Sequence, residues 1–337
     1  MGQPQKTIQS FQAGRGIAAV AVVFHHAHYG AINFGSQPKL IFKPLEHLYL
    51  GVDFFFVLSG FIIYHSTVGR GRTVAQYAGA RFRRVYLPYL PIGIGLALLK
   101  TLMPNISHEG GDWSWITTLT LVPLPDRPAL AVAWTLQHEV LFYTVFGLLY
   151  FTGHLRSGLI IWAAIIIAAA IAGVEAVIPL SLLNLEFLMG VGAAELYRAG
   201  KGHPALFLLA PIPLAIWLMV ADQHYWSILA GLSLALIILP LARLEGLGRF
   251  TVPWTLTFFG AASYSIYLIH PVALSLSDRV LAGQAYPVHF TGNLLLGIVA
   301  GLAYFMLVER RLLRVARNDP RHERLTGEEA APAASVS

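Results

Sequence analysis

The chain has 337 residues, 56% hydrophobic and only 12% charged, about half the charged fraction of a soluble globular domain. Its net charge of +6 comes without a basic face on a soluble fold, which argues against nucleic-acid binding; in so apolar a chain a basic excess reports membrane topology instead. The absence of cysteine excludes disulfides, thiolate nucleophiles and S-palmitoyl anchors.

A hydrocarbon core of roughly 30 Å takes about 20 apolar residues as a helix. Ten segments approach that length: Phe11 to Tyr29, Glu46 to Ser66, Val85 to Met103, Trp134 to Phe151, Gly158 to Val174, Leu180 to Tyr197, Pro204 to Ala221, Tyr225 to Ala242, Trp254 to Leu274 and Val288 to Leu312. The expected fold is all-α, a polytopic membrane protein of about ten spans in residues 1–317, with a disordered cytoplasmic tail over 318–337. No secretory cleavage pattern precedes the first segment, so it reads as a retained span, and Lys6 spoils a myristoylation motif. With the N-terminus in the cytoplasm, every lysine and arginine falls on the inner side except Lys39, Lys43, Lys100, Arg127 and Arg279. Both termini are therefore expected inside.

Two connections stand out. Thr73 to Arg84 is basic and reads as an interfacial helix on the inner leaflet. Pro104 to Ala133 is rich in Pro, Gly and Trp and suits the cover of a cavity mouth on the outer side.

Ionisable groups inside a bilayer are costly, about 2.5 to 3.5 kcal/mol at a helix centre on insertion scales, and usually line cavities or do chemistry. Arg15 and His26 are eleven residues apart, so they share one face of the first span, with His26 about 16 Å above Arg15. Asp53 enters in the second span, about 10 Å below Glu46, and reaches a similar depth. Imidazole and carboxylate at one depth suit a general base with its orienting partner; a structural pair joining the two helices is the competing reading. His25 reads as packing or backbone-bonded. Arg81, Arg83 and Arg84, near Arg70 and Arg72, suit the phosphates of a nucleotide handle, or equally a stop-transfer cluster on anionic lipid. Glu139, about 7 to 8 Å below the outer edge, suits acceptor binding or helix packing. His270 stands near the outer end of the ninth span, and Glu309 at the inner end of the last reads as a salt bridge to neighbouring arginines. Gly297 and Gly301 form a GxxxG for close helix contact. Asn105-Ile106-Ser107 is a chance-level sequon. No P-loop, GxSxG, HExxH or dinucleotide fingerprint occurs, and no metal site is expected.

Together these motifs make the chain similar to acyltransferase family 3, integral membrane O-acyltransferases that include the bacterial members acetylating exopolysaccharide and other surface glycans. Arg15 and His26 match its first-helix pattern, Gly51 to Gly60 its GVDxFFVLSG signature and Arg81 to Tyr86 its basic motif. Trp134 to Glu139 match Trp-Ser/Thr-Leu-x-x-Glu, and Ser263 to His270 match Ser-Tyr-x-x-Tyr-Leu-x-His. Two arginines follow Glu309 where the family often has a basic residue and Pro, so Glu309 carries over only weakly. The resemblance implies acetyl-CoA or another acyl-CoA as co-substrate, no bound cofactor, and a glycan or lipid-linked sugar hydroxyl as acceptor. It implies catalysis by His26 with Asp53, acyl-CoA on Arg15, Arg81, Arg83 and Arg84, and an acceptor side of Glu139, His270 and Tyr264. The expected setting is the inner membrane, with the lipid bilayer and a homo-oligomer as compatible partners and nucleic acid excluded. The rival class is a proton-coupled transporter or flippase, since buried His and Asp also build proton relays; no repeated halves are visible to support it.

Overall fold

The computed structural model describes residues 8–36, 43–103, 112–174, 177–220 and 227–318. The predicted tail beyond Asn318, the Asn105 sequon and the start of the Pro104 connection lie outside them. In chain order the α-helices are α1 (Gln9–Phe34), α2 (Lys43–Glu46), α3 (Leu50–Thr67), α4 (Val74–Leu102), α5 (Trp115–Thr120), α6 (Trp134–Phe151), α7 (Leu155–Ile171), α8 (Leu183–Arg198), α9 (Pro211–Met219), α10 (Ser227–Gly246), α11 (Trp254–Val280), α12 (Tyr286–Tyr304) and α13 (Arg310–Asn318). A π turn over Phe305–Glu309 joins the last two. No β-strand occurs among the described residues beyond one isolated bridge between Trp113 and Arg127.

Helices overlie each of the ten predicted segments. Among the described residues, five stretches are long and apolar enough to cross a membrane: Leu50–Thr67, Val74–Leu102, Ser227–Gly246, Trp254–Val280 and Tyr286–Ala316. The others differ for physical reasons. α1 carries Arg15 and three histidines, α6 carries Gln137-His138-Glu139, and α7, α8 and α9 are short. The solvation pattern is inverted relative to a water-soluble protein. His28, Asn184, Glu186, His270, His289 and Asn293 are all wholly buried, while Ile160, Ile171 and Met219 are more than two-thirds exposed. Only a lipid surround makes that arrangement favourable, because the hydrocarbon takes the outward isoleucines while polar groups are kept away from it inside. The protein is a multi-pass membrane protein.

The chain divides into two compact units, the first of residues 1–66 and 156–302, the second of 67–155 and 303–337. In the first unit α1 and α11 run parallel: a Cβ on Gly16 would stand 2.8 Å from Gly260 N, and one on Gly30 2.7 Å from Asp278 Oδ1. α3 and α8 meet backbone to backbone, since a Cβ on Gly60 would lie 1.9 Å from Phe187 O and one on Gly190 1.8 Å from Val57 O. The predicted contact at Gly297 and Gly301 is present. A Cβ on Gly301 would stand 2.5 Å from Ile266 Cα, so α12 presses its bare backbone onto α11.

In the second unit, α4 corrects an expectation. Thr73 begins it with a reciprocal capping box: its hydroxyl accepts from Gln76 N at 3.2 Å, and Gln76 Oε1 accepts from Thr73 N at 3.0 Å. The helix then continues without a break through Pro88 and Pro91 to Leu102, so the basic stretch is the first half of a long helix rather than a separate one. α5 and its flanks pack on this helix, with Tyr89 donating to Thr118 O at 2.8 Å and Tyr86 to Thr120 O at 2.5 Å.

Candidate functional site

Two clusters of ionisable side chains occupy the interiors of the two units. In the first, the His26 ring packs against His270 with centroids 4.9 Å apart. The His25 ring stands edge-on to His26 at 5.1 Å. His26 Nδ1 lies 2.9 Å from Val22 O, one turn back along α1. A carbonyl oxygen can only accept, so Nδ1 carries the proton and Nε2 of the neutral ring keeps its lone pair. His270 repeats the arrangement, Nδ1 at 3.3 Å from Ile266 O, and its buried Nε2 meets no hydrogen-bonding group. His25 is bonded to backbone as expected, Nδ1 lying 3.3 Å from Leu45 O.

Asp53 sits differently from the sequence expectation. The nitrogen of His26 that an orienting carboxylate would take is already held within α1, because a helical histidine reaches its own i−4 carbonyl at no cost in chain closure. Asp53, buried in α3, instead lies against the wholly buried Glu186 of α8, which also neighbours Ser227. Glu186 was not anticipated. The signal was present, since Leu185-Glu186-Phe187-Leu188-Met189 sets an acid inside an apolar run just as Gly51 to Gly60 does. Tyr264 is buried, but the tyrosine beside His270 is Tyr267, ring to ring at 5.7 Å. Arg15 shares α1 with His26, half-buried toward its beginning.

The second unit gathers the arginines. Arg81 lies over the Tyr143 ring, 5.4 Å from its centroid, close enough for a cation–π attraction. Tyr143 donates from its hydroxyl to Glu139, and its carbonyl accepts from Tyr77 at 2.6 Å. Arg83 Nε donates to Gly79 O at 3.1 Å, while its Nη2 is sealed and meets no acceptor. Tyr143 stands eight residues, about 12 Å, from the Phe151 end of α6. The basic half of α4 thus runs alongside α6. Glu139 and Arg81, expected on opposite sides, converge on one tyrosine. The aromatic face of Tyr143 offsets part of the cost of half-burying the Arg81 guanidinium there. Glu309 is buried at the π turn, and the preceding Tyr304 donates to Pro88 O at 2.8 Å.

Paired imidazoles inside the first unit, His26 keeping its Nε2 lone pair, make a centre suited to proton transfer in a multi-pass helical protein. A family model described as an acyltransferase domain matches residues 8–309, and the chain belongs to this family, acyltransferase family 3. It is also similar to the exopolysaccharide production protein ExoZ of Rhizobium meliloti (strain 1021), at 30% identity over 286 residues, covering 79% of this chain and 90% of that protein. No solved structure gives a significant match.

Proposed function

We propose that this acyltransferase moves an acetyl group from cytoplasmic acetyl-CoA to a hydroxyl of an exopolysaccharide or its lipid-linked precursor. We place it in the inner membrane, crossing about ten times with both termini inside. The observation that carries the reading is the fixed tautomer of His26, whose Nε2 lone pair lies beside a second histidine in a membrane acyltransferase. The similarity to a protein named for exopolysaccharide production supports the acceptor class.

In this mechanism Nε2 of His26 takes the proton of the acceptor hydroxyl as its oxygen bonds to the acyl carbon. The carbon–sulfur bond breaks, and His26 returns the proton to the departing CoA thiolate. His270 packs the ring in place. Asp53 with Glu186 supplies the acidic wall of the same unit. The donor phosphates are assigned to Arg81, Arg83, Arg84 and Arg15, because guanidinium groups bind phosphate oxygens through paired N–H bonds. Glu139 acts through Tyr143 on this arginine cluster.

The test is acetyl transfer by purified protein in lipid nanodiscs, using acetyl-CoA and base-deacetylated exopolysaccharide oligomers. A positioned base contributes about 100- to 10,000-fold in rate. His26→Ala should therefore lose product to that extent while retaining CoA binding. Near wild-type transfer by this variant would sink the assignment, and glycan flux with no new ester would favour a transporter.

A further inference from the structure

A second polar cluster lies at the junction of α1, α11 and α12, apart from His26 and from every residue singled out in the sequence. Asp278 Oδ1 is 2.7 Å from His289 Nε2 and also accepts from Asn293 Nδ2 at 2.7 Å. His28 Nδ1 lies 2.6 Å from the Tyr286 hydroxyl. Tyr286, His289 and Asn293 follow at spacings of three and four residues, so they line one face of α12. α1 approaches them at Gly30, where a Cβ would stand 2.5 Å from Asn293 Nδ2.

The hydrogen bonds fix what the cluster lacks. Oδ1 of Asp278 already receives an amide N–H, so it acts as acceptor toward His289 as well, and His289 Nε2 carries the proton. In the neutral ring Nδ1 of His289 is then a lone-pair atom. It is sealed and meets no hydrogen-bonding group, and the same holds for Asn293 Oδ1. Both residues are wholly buried. A staple fastening α12 to α11 needs only the Asp278–His289 bond, and each buried acceptor left empty costs about 1 to 3 kcal/mol. Two acceptors without donors instead call for an occupant that brings donors. The Asp278 side chain keeps 16% of its surface exposed, so the cluster is not shut off from outside.

We propose that Asp278, His289 and Asn293 form a subsite for hydroxyl groups of the acceptor sugar, which donate to His289 Nδ1 and Asn293 Oδ1. This rests on the acceptor class proposed above. Gly30 is one turn beyond His26 on nearly the same side of α1, about 6 Å along the axis and 40° around it. A sugar reacting at His26 through one hydroxyl would thus anchor others one turn further along. Phe34, whose ring stacks parallel to His289 at 6.4 Å, gives the cluster an apolar wall of the kind that sugar rings pack on.

Binding of base-deacetylated exopolysaccharide oligomers to the full-length protein in nanodiscs, by calorimetry, tests the subsite independently of catalysis. Asn293→Ser and His289→Gln should each weaken oligomer binding about tenfold, the loss of one or two neutral hydrogen bonds. In turnover they should raise the acceptor KM by a similar factor, with kcat and acetyl-CoA affinity within about threefold. Tyr286→Phe, which removes only the hydroxyl bond to His28 and leaves the ring stacked on Phe290, should change neither. Melting temperatures identify any variant that fails to fold; should His289→Gln be one, Asn293→Ser decides alone, and should both fail, His289 and Asn293 are structural and the subsite is overturned. Oligomer affinity unchanged in a folded variant, or no oligomer binding by wild type, also overturns the subsite. Oligomer binding that depends on Asn293 without any acetyl transfer keeps the subsite and removes the proposed activity.

Discussion

The two units differ in the polar groups they bury. In the first, the atoms left without hydrogen bonds include the lone pairs and acceptors His270 Nε2, His289 Nδ1 and Asn293 Oδ1 beside the Ser10 hydroxyl; in the second they include the Arg83 Nη2 donor. A cluster poor in donors suits hydroxyl-bearing ligands and proton abstraction, whereas one rich in guanidinium suits phosphate. The contrast teaches that two buried polar clusters in one protein can be told apart by which half of each hydrogen bond is missing.

The most severe break of this contrast is His26→Ala, with its expected loss of about 100- to 10,000-fold in transfer rate. Next is Arg83→Ala. Removing a charge-assisted bond of about 1.5 to 3 kcal/mol should weaken acetyl-CoA binding by about 10- to 100-fold, read by calorimetry, with glycan affinity unmoved. Equal loss of both ligands would erase the distinction between the units. Gly190→Ala tests the frame of the first unit alone. Its new Cβ meets Val57 O at 1.8 Å, and overpacking of about 1 to 3 kcal/mol should lower the melting temperature in detergent; an unchanged transition would mean that α3 and α8 part without cost. The smallest effect is expected of Glu186→Gln. It sets an amide donor opposite Asp53 in place of a second carboxyl and should hold or slightly raise the melting temperature, by less than about 1 kcal/mol. A marked fall would show that the acid is an obligatory member of the pair.

Much of the helical layout was legible because apolar runs carry it directly: α6 begins and ends at Trp134 and Phe151 as predicted, and α11 begins at Trp254. The GxxxG contact was readable for the same reason, since it depends on the spacing within one helix. Pairings across helices were not. Asp53 and His26 share a depth, but depth leaves rotation open, and rotation gave Asp53 to Glu186. The basic stretch of α4 reads in sequence as a separate helix because its charge sets it off from the apolar run that follows, and only the fold shows one helix running on through Pro88 and Pro91. Asp278 and His289 look in sequence like the polar ends of two spans, Asp278 beside the topology marker Arg279, and only the fold closes them on each other.

The bond from His26 Nδ1 to Val22 O has a consequence for how this protein can vary. The group that fixes the imidazole's tautomer is main chain, so any residue that keeps the helix intact at position 22 supplies it equally well. Drift at that position is silent with respect to chemistry, and substitution scanning there would report only packing. The tautomer is thus heritable through the helix itself and insulated from point mutation in a way that a side-chain carboxylate partner never is.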